Sequence, residues 1–148
     1  VSTEATRVVA RLLFAPTLMV ALAVLVKGYA DTGDGFAAAV IVSLGMLLQY
    51  LAFGTEVAGR LPLVRRAPSL AVAGLALALT VTFLPVLLGD PVMTHRPAPG
   101  ADVVRLGTLE LLSAVAFDVG VFLLVAGFAI GGIDLIAHSV ERARGGRP

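Results

Sequence analysis

Apolar residues form four long stretches along this chain, and short polar segments separate them. The stretches cover residues 8–27, 36–53, 69–89 and 108–136. An α-helix needs roughly 20 consecutive apolar residues to cross the hydrocarbon layer of a bilayer, and each stretch is close to that length. The pattern therefore predicts a single all-α domain over residues 1–148, an integral membrane protein with four transmembrane helices.

The composition supports a membrane protein and excludes several other classes. Hydrophobic residues make up 58% of the chain and charged residues 14%, with a mean hydropathy of +0.97, whereas soluble domains carry about 25% charged residues. The formal net charge of +1 provides no basic surface for nucleic acid, so no nucleic-acid partner is expected. Because the chain has no cysteine, disulfides, thiolate metal sites and cysteine nucleophiles are excluded.

The distribution of Lys and Arg predicts the orientation in the membrane, because basic loops stay in the cytoplasm. The two chain ends and the connection 54–68 carry eight of the eleven Lys and Arg residues. Lys27 and the connection 90–107 carry the other three. Both termini are therefore expected in the cytoplasm, which agrees with an even number of crossings. Ten of the eleven basic residues are Arg and Ala is abundant, which favours a GC-rich bacterial genome and hence a bacterial cytoplasmic membrane.

Asp118 stands alone in the middle of the apolar stretch 111–133. An ionised carboxylate near the bilayer centre costs roughly 2.5–3.5 kcal/mol, so such a residue usually has a function or a partner. No Lys or Arg lies at that depth in the other three stretches, so a charge partner must come from a neighbouring protein, water or a bound ion. Two interpretations stay open: a protonatable or cation-binding group, or a structural hydrogen bond to a neighbouring helix.

Small residues recur on single faces of the predicted helices, where they allow close helix packing in lipid. On the fourth helix Asp118 points almost opposite to this small-residue ridge. The pattern fits an ordinary four-helix bundle, or a bundle in which the acidic face of the fourth helix meets another protein. The ridges comprise Ser113, Ala116, Gly120, Gly127 and Gly131 on the fourth helix, Ala71, Gly74 and Ala78 on the third, and Ala38, Gly45 and Ala52 on the second.

Two further acids, Glu110 and Asp134, lie near the ends of the predicted fourth helix. Their spacing from Asp118, eight residues one way and sixteen the other, would suit acids along a transmembrane route. Both positions equally suit interfacial acids in contact with headgroup water. His95 and His138 have no second His or carboxylate at metal-ligand spacing, so no metal site is expected.

The segment 28–35, GYADTGDG, is rich in Gly and Asp and predicts a tight turn. Its alternating Asp31 and Asp34 lack the twelve-residue pattern of a calcium loop, so turn chemistry explains them better. The Ser and Thr residues have no His and Asp companions in a triad arrangement. The chain is therefore not expected to be an enzyme or to hold a cofactor.

Two segments carry more specific motifs. The first has Gly28, Gly33, Gly35 and Phe36, and the second reads FDVGVF over residues 117–122. Together they resemble the MnhB-type B subunit of the Mrp multisubunit Na⁺/H⁺ antiporters. That family typically shows G-H-N-x-P-G-G-G-F at the entry to its second helix and F-D-[IL]-G-V-[YF] in its last. The first motif departs from the family at Tyr29, Ala30, Thr32 and Asp34, which replace His, Asn, Pro and the middle Gly.

The resemblance implies a small, non-catalytic membrane subunit that contributes to the ion route or to assembly of the sodium-side module. Its partners would be large subunits that are similar to those of respiratory complex I, together with other small hydrophobic subunits. Na⁺ and H⁺ would be the transported ions. The residues implicated in the ion route or in helix interfaces are Asp118, Phe36, Gly33, Gly35, Phe117, Gly120, Glu110 and Asp134.

Three other functions are weighed against the antiporter role. The equivalent subunit of a membrane-bound hydrogenase-like complex differs only in its neighbouring subunits. A purely structural subunit would tolerate the loss of the Asp118 charge. A homodimeric four-helix exporter would need an acid in its first helix, and none lies between Arg11 and Lys27.

Overall fold

A computed structural model describes residues 3–28, 33–87, 89, 91–93, 105–106, 109–110 and 113–145. For residues 105–106, 109–110 and 144–145 the description covers the backbone alone. The elements in chain order are helix α1 (Glu4–Lys27), helix α2 (Asp34–Phe53), helix α3 (Thr55–Ala58), helix α4 (Pro62–Leu87), strands β1 (Arg105–Leu106) and β2 (Leu109–Glu110), and helix α5 (Ser113–Gly145).

Four of these helices, α1, α2, α4 and α5, are long and apolar enough to cross a membrane. The predicted fold class, all-α with four membrane-spanning helices, is therefore confirmed. The cytoplasmic location of the termini stays a prediction.

The first helix has clear signals at both of its ends. The Thr3 side chain caps the start, because its hydroxyl oxygen accepts a hydrogen bond from the Thr6 backbone N–H at 3.3 Å. Glu4 in the first turn and Lys27 in the last turn suit the positive and negative ends of the helix dipole. Chain direction then reverses over the few residues between α1 and α2.

The third membrane helix begins seven residues earlier than the predicted start at residue 69. Its first residue is Pro62, and proline suits this position because it has no N–H to leave unpaired and its φ is already helical. Arg65 and Arg66 lie in the early turns with exposed side chains. Helix α4 thus includes polar residues that precede its apolar stretch.

The fourth membrane helix begins at Ser113 instead of the predicted residue 108. Residues 109–110 pair antiparallel with residues 105–106, with Leu109 opposite Leu106. Their backbone groups therefore bond across a strand pair and not along a helix. At the other end α5 continues to Gly145, past the predicted end at residue 136.

Helix packing follows the order α1, α2, α5, α4. The extensive interfaces join α1 to α2, α2 to α5, and α5 to α4. Within the described residues α1 and α4 share no comparable interface, but side chains of all four helices belong to one apolar core. Helix α2 is the most buried of the four, and Met46 on α2 and Ile130 on α5 are the largest fully buried side chains.

Three glycines allow α4 and α5 to pack backbone against backbone, and we call Gly74, Gly120 and Gly127 the glycine seam. A Cβ on Gly74 would lie 2.3 Å from the backbone nitrogen of Leu124, and one on Gly127 would lie 2.5 Å from that of Ala71. The small-residue ridges predicted on these two helices therefore face each other within the chain.

Candidate functional site

Asp118 is the sixth residue of α5 and packs against the turn between α1 and α2. It is buried, with 7% of its surface exposed. The backbone N–H of Gly33 donates a hydrogen bond to its Oδ2 atom at 2.8 Å. The carboxylate is therefore level with the end of α1 and the start of α2. Asp118 therefore lies near one end of α5 and not midway along it, because the helix starts at Ser113 and continues to Gly145. Its expected position near the bilayer centre stays a prediction.

Gly33 is placed to make this bond by its backbone conformation. It precedes α2 with φ 115° and ψ −3°, in the left-handed region that glycine enters without strain. The first N–H groups of a helix have no partner within the helix, and a negative charge beside them is favourable. The start of α2 thus supplies both a donor and a positive dipole end to the Asp118 carboxylate.

Two more glycines of the motif make room for the acid. A Cβ on Gly35 would lie 2.3 Å from the backbone oxygen of Asp118, and one on Gly28 would lie 3.2 Å from its Oδ2 atom. These contacts explain why small residues stand at both positions. We call Asp118, Gly28, Gly33 and Gly35 the Asp118 site. Asp118 therefore does not face lipid within this chain, because Gly28, Gly33 and Gly35 lie against it. Contact of the rest of this face with another protein stays a prediction.

An ion pair lies beside this site. Lys27 Nζ is 3.5 Å from Asp34 Oδ2, and the Asp34 Cβ atom lies 3.4 Å from where a Cβ on Gly28 would be. Within the described part of the chain, the buried Asp34 Oδ2 accepts no hydrogen bond. Sequence reasoning treated Asp34 as a turn residue and Lys27 as an interfacial one. The signal that could have predicted this ion pair is the opposite charge of two residues on either side of the predicted tight turn.

Asp134 lies at the opposite end of the α2–α5 interface, sixteen residues and about 24 Å along the helix from Asp118. The Tyr50 hydroxyl donates a hydrogen bond to Asp134 Oδ1 at 2.6 Å. His138 Nδ1 lies 3.2 Å from the same oxygen and 2.9 Å from the Asp134 backbone oxygen. Since both neighbours are acceptors, we assign the ring proton to Nδ1. Sequence reasoning missed Tyr50, whose partner is 84 residues away. It was also wrong that His138 has no carboxylate at ligand spacing, because Asp134 lies four residues earlier on the same helix.

The other predicted site residues are spread over the molecule. Phe36 is 58% exposed on the surface of α2, and Phe117 is half-buried. Gly120 packs on α4 as part of the glycine seam and not on the α1–α2 turn. Glu110 belongs to β2, and its side chain is outside the described part of the structure. The structure thus brings together Asp118, Gly33 and Gly35 and places Gly120 and Asp134 in other contacts.

The four apolar helices define a multi-pass membrane protein, with carboxylates tied to α2 at both ends of the α2–α5 interface. Residues 5–131 match the family described as a domain related to the MnhB subunit of the Na⁺/H⁺ antiporter. The chain belongs to this family, and the resemblance predicted from its two motifs is confirmed.

Two relatives are similar over most of this chain. A probable A/B subunit of a K⁺/H⁺ antiporter from Rhizobium meliloti (strain 1021) is 32% identical over 136 residues, which are 92% of this chain and 13% of the relative. The B subunit of an Na⁺/H⁺ antiporter from Alkalihalophilus pseudofirmus is 30% identical over 112 residues, which are 75% of this chain and 76% of the relative. The chain therefore spans a small part of the first relative and most of the second.

Proposed function

We propose that this chain is the B-type membrane subunit of a multisubunit monovalent cation/proton antiporter in a bacterial cell membrane. The observation that carries the proposal is the similarity to the B subunit of an Na⁺/H⁺ antiporter over about three quarters of both chains. The proposed transported cation is sodium, the ion in the name of that relative. The relative that is named for K⁺ makes potassium the alternative, so transport assays include both ions.

The proposed partners are the large complex-I-like subunits and the small hydrophobic subunits of such an antiporter. Two features support a chain that works in an assembly. Helices α1 and α4 bury little of their surface within the chain, and both present exposed large apolar side chains, such as Leu12 on α1 and Val72 on α4. In the proposed orientation the described Arg side chains of α1 and of residues 60–66 face the cytoplasm.

Asp118 is proposed to lie on or beside the ion route. A carboxylate can bind and release a proton or a monovalent cation, and this one is held at the level of two helix ends by the hydrogen bond from Gly33. The ion pair between Lys27 and Asp34 adjoins it. The competing structural role is a hydrogen bond that only fastens α5 to the turn between α1 and α2.

The substitution Asp118→Asn separates the two roles. The Asn amide oxygen can accept the same hydrogen bond from Gly33, but the side chain neither ionises nor carries charge. We expect the variant to assemble at the wild-type level and to lose most of its sodium-driven proton exchange in membrane vesicles. Normal assembly with full exchange would show that Asp118 has a structural role only.

Affinity purification tests the assembly itself. The chain would be tagged at its C-terminus, extracted in mild detergent and analysed by mass spectrometry for co-purifying proteins. Large complex-I-like subunits with several small hydrophobic ones are the expected result. Added hydrogenase subunits would assign the chain to the related respiratory complex. A lone monomer or homodimer that still transports ions would contradict the proposal.

A further inference from the structure

Arg11 occupies an unusual position at the Arg-rich end of the molecule. Its guanidinium carbon lies 5.6 Å from the centre of the Phe53 ring. Within the described residues it forms no ion pair with a carboxylate. The neighbouring Arg7, by contrast, pairs with Glu4 at 3.2 Å. The Glu4 carboxylate offsets the positive charge of Arg7. No carboxylate in the described part of the chain offsets the charge of Arg11.

The position of Arg11 is fixed by the packing of α1 on α2. The side-chain amide of Gln49 donates a buried hydrogen bond to the Ala10 backbone oxygen at 2.9 Å. One turn earlier on α2, a Cβ on Gly45 would lie 2.9 Å from the Thr17 side chain, so the two helices are in close contact there as well. Arg11 is therefore held level with the last turn of α2.

This level corresponds to the headgroup layer. Helix α2 has 20 residues and is about 30 Å long, which equals the thickness of the hydrocarbon core. Its last residue, Phe53, therefore marks the boundary between acyl chains and headgroups. The guanidinium that stacks on this ring is at the depth of lipid phosphate groups.

Two adjoining cavities share Arg11 and Phe53. One has a volume of about 310 Å³ and is lined by Glu4, Arg7, Val8, Arg11, Leu12 and Phe53. The other has a volume of about 170 Å³ and is lined by Arg11, Gln49, Phe53, Val57, Ala58 and Leu61. Each combines the cation with apolar side chains, of which Leu12 and Val57 are 68% and 56% exposed. The larger cavity also has the carboxylate of Glu4, which pairs with Arg7 at 3.2 Å. A ligand that fits has an anionic head and an apolar tail.

We infer that Arg11 and Phe53 form a binding site for the phosphate of an anionic phospholipid, with an acyl chain lying along Val8 and Leu12. Arginine binds phosphate through several N–H donors in one plane, and basic pockets between membrane helices on the cytoplasmic side bind anionic headgroups. This inference does not depend on the antiporter function, because it uses only the helix ends and the bilayer.

Native mass spectrometry of the full chain, purified with the subunits that it retains, tests the site. The probes are phosphatidylglycerol, phosphatidylcholine and inorganic phosphate, added separately. We expect selective retention of phosphatidylglycerol. Arg11→Gln should lower that retention about fivefold, the effect of one basic residue near an anionic lipid surface. The matched control is Arg65→Gln, which removes an exposed Arg from the same end of the molecule outside both cavities and should lower retention less than Arg11→Gln does.

A second variant separates the site from general attraction between charges. Phe53→Leu keeps every charge and most of the apolar volume but removes the ring, and should lower phosphatidylglycerol retention about twofold. Equal losses in the two Arg variants would overturn the inference, as would equal retention of phosphatidylcholine. Binding of inorganic phosphate that prevents lipid retention would assign the site to free phosphate. A cross-link from position 11 to a carboxylate of a neighbouring protein would assign it to that protein.

Discussion

The two interfaces of α5 differ in the groups that hold them together. Against α4 the helix packs through the glycine seam, with backbone close to backbone. Against α2 it has a polar contact at each end, one from Gly33 to Asp118 and one from Tyr50 to Asp134. Lipid gives helices no hydrophobic reason to associate, so both interfaces must rely on close packing or hydrogen bonds. The glycine seam relies on close packing, and the α2 interface adds hydrogen bonds.

This difference separates structural from chemical roles along one helix. The glycine seam holds no titratable group, so it responds to side-chain size and not to pH or cations. The α2 interface contains two carboxylates, which accept hydrogen bonds from the Gly33 backbone and the Tyr50 hydroxyl. The proposed ion chemistry therefore belongs to the α2 side of α5, and the α4 side gives that helix a rigid support.

Gly127→Ala should produce the largest loss of stability, because the new Cβ would lie 2.5 Å from two backbone atoms of α4. Overpacking of this kind costs about 1–3 kcal/mol, and the upper part of that range is expected where the opposing atoms belong to a helix. Gly131→Ala is the matched control on the same helix, since its nearest contact would be 4.0 Å away. Thermal unfolding in detergent compares the two. Equal melting temperatures would contradict the close packing at the seam.

Gly35→Ala should weaken the other interface by a smaller amount, about 1–2 kcal/mol. Its Cβ would meet the Asp118 backbone oxygen at 2.3 Å, but the first turn of α2 is at a chain reversal and can shift outward. The shift would pull Gly33 away from Asp118, so we also expect reduced cation/proton exchange. Gly132→Ala, with open space around the added carbon, is the control. Full cation/proton exchange by the Gly35→Ala variant would show that close contact between Gly35 and Asp118 is not needed for transport.

Tyr50→Phe should have the smallest effect, because it removes one hydrogen bond and keeps the ring. Hydrogen bonds between membrane helices average about 0.6 kcal/mol. A double-mutant cycle with Asp134→Ala isolates this bond from the other contacts of both residues. A coupling energy near zero in detergent unfolding would show that the contact between Tyr50 and Asp134 does not stabilise the α2–α5 interface.

Local sequence patterns predicted the parts of this fold that depend on local properties. Apolar length predicted the four helices, and the spacing of small residues predicted which faces of α4 and α5 pack. The partner of Asp118 could not be predicted in this way, because Gly33 lies 85 residues earlier in the chain. Its place along the helix also differs from the expectation, which took the apolar stretch as centred on the helix. The polar residues after 136 continue the helix and move its centre away from Asp118.

The helix order α1, α2, α5, α4 has a consequence for any protein that assembles with this chain. Within the described residues α1 and α4 are the outer helices of this series and the least buried of the four. A neighbouring polypeptide therefore meets α1 or α4 before it meets α2, which has the largest share buried inside the chain.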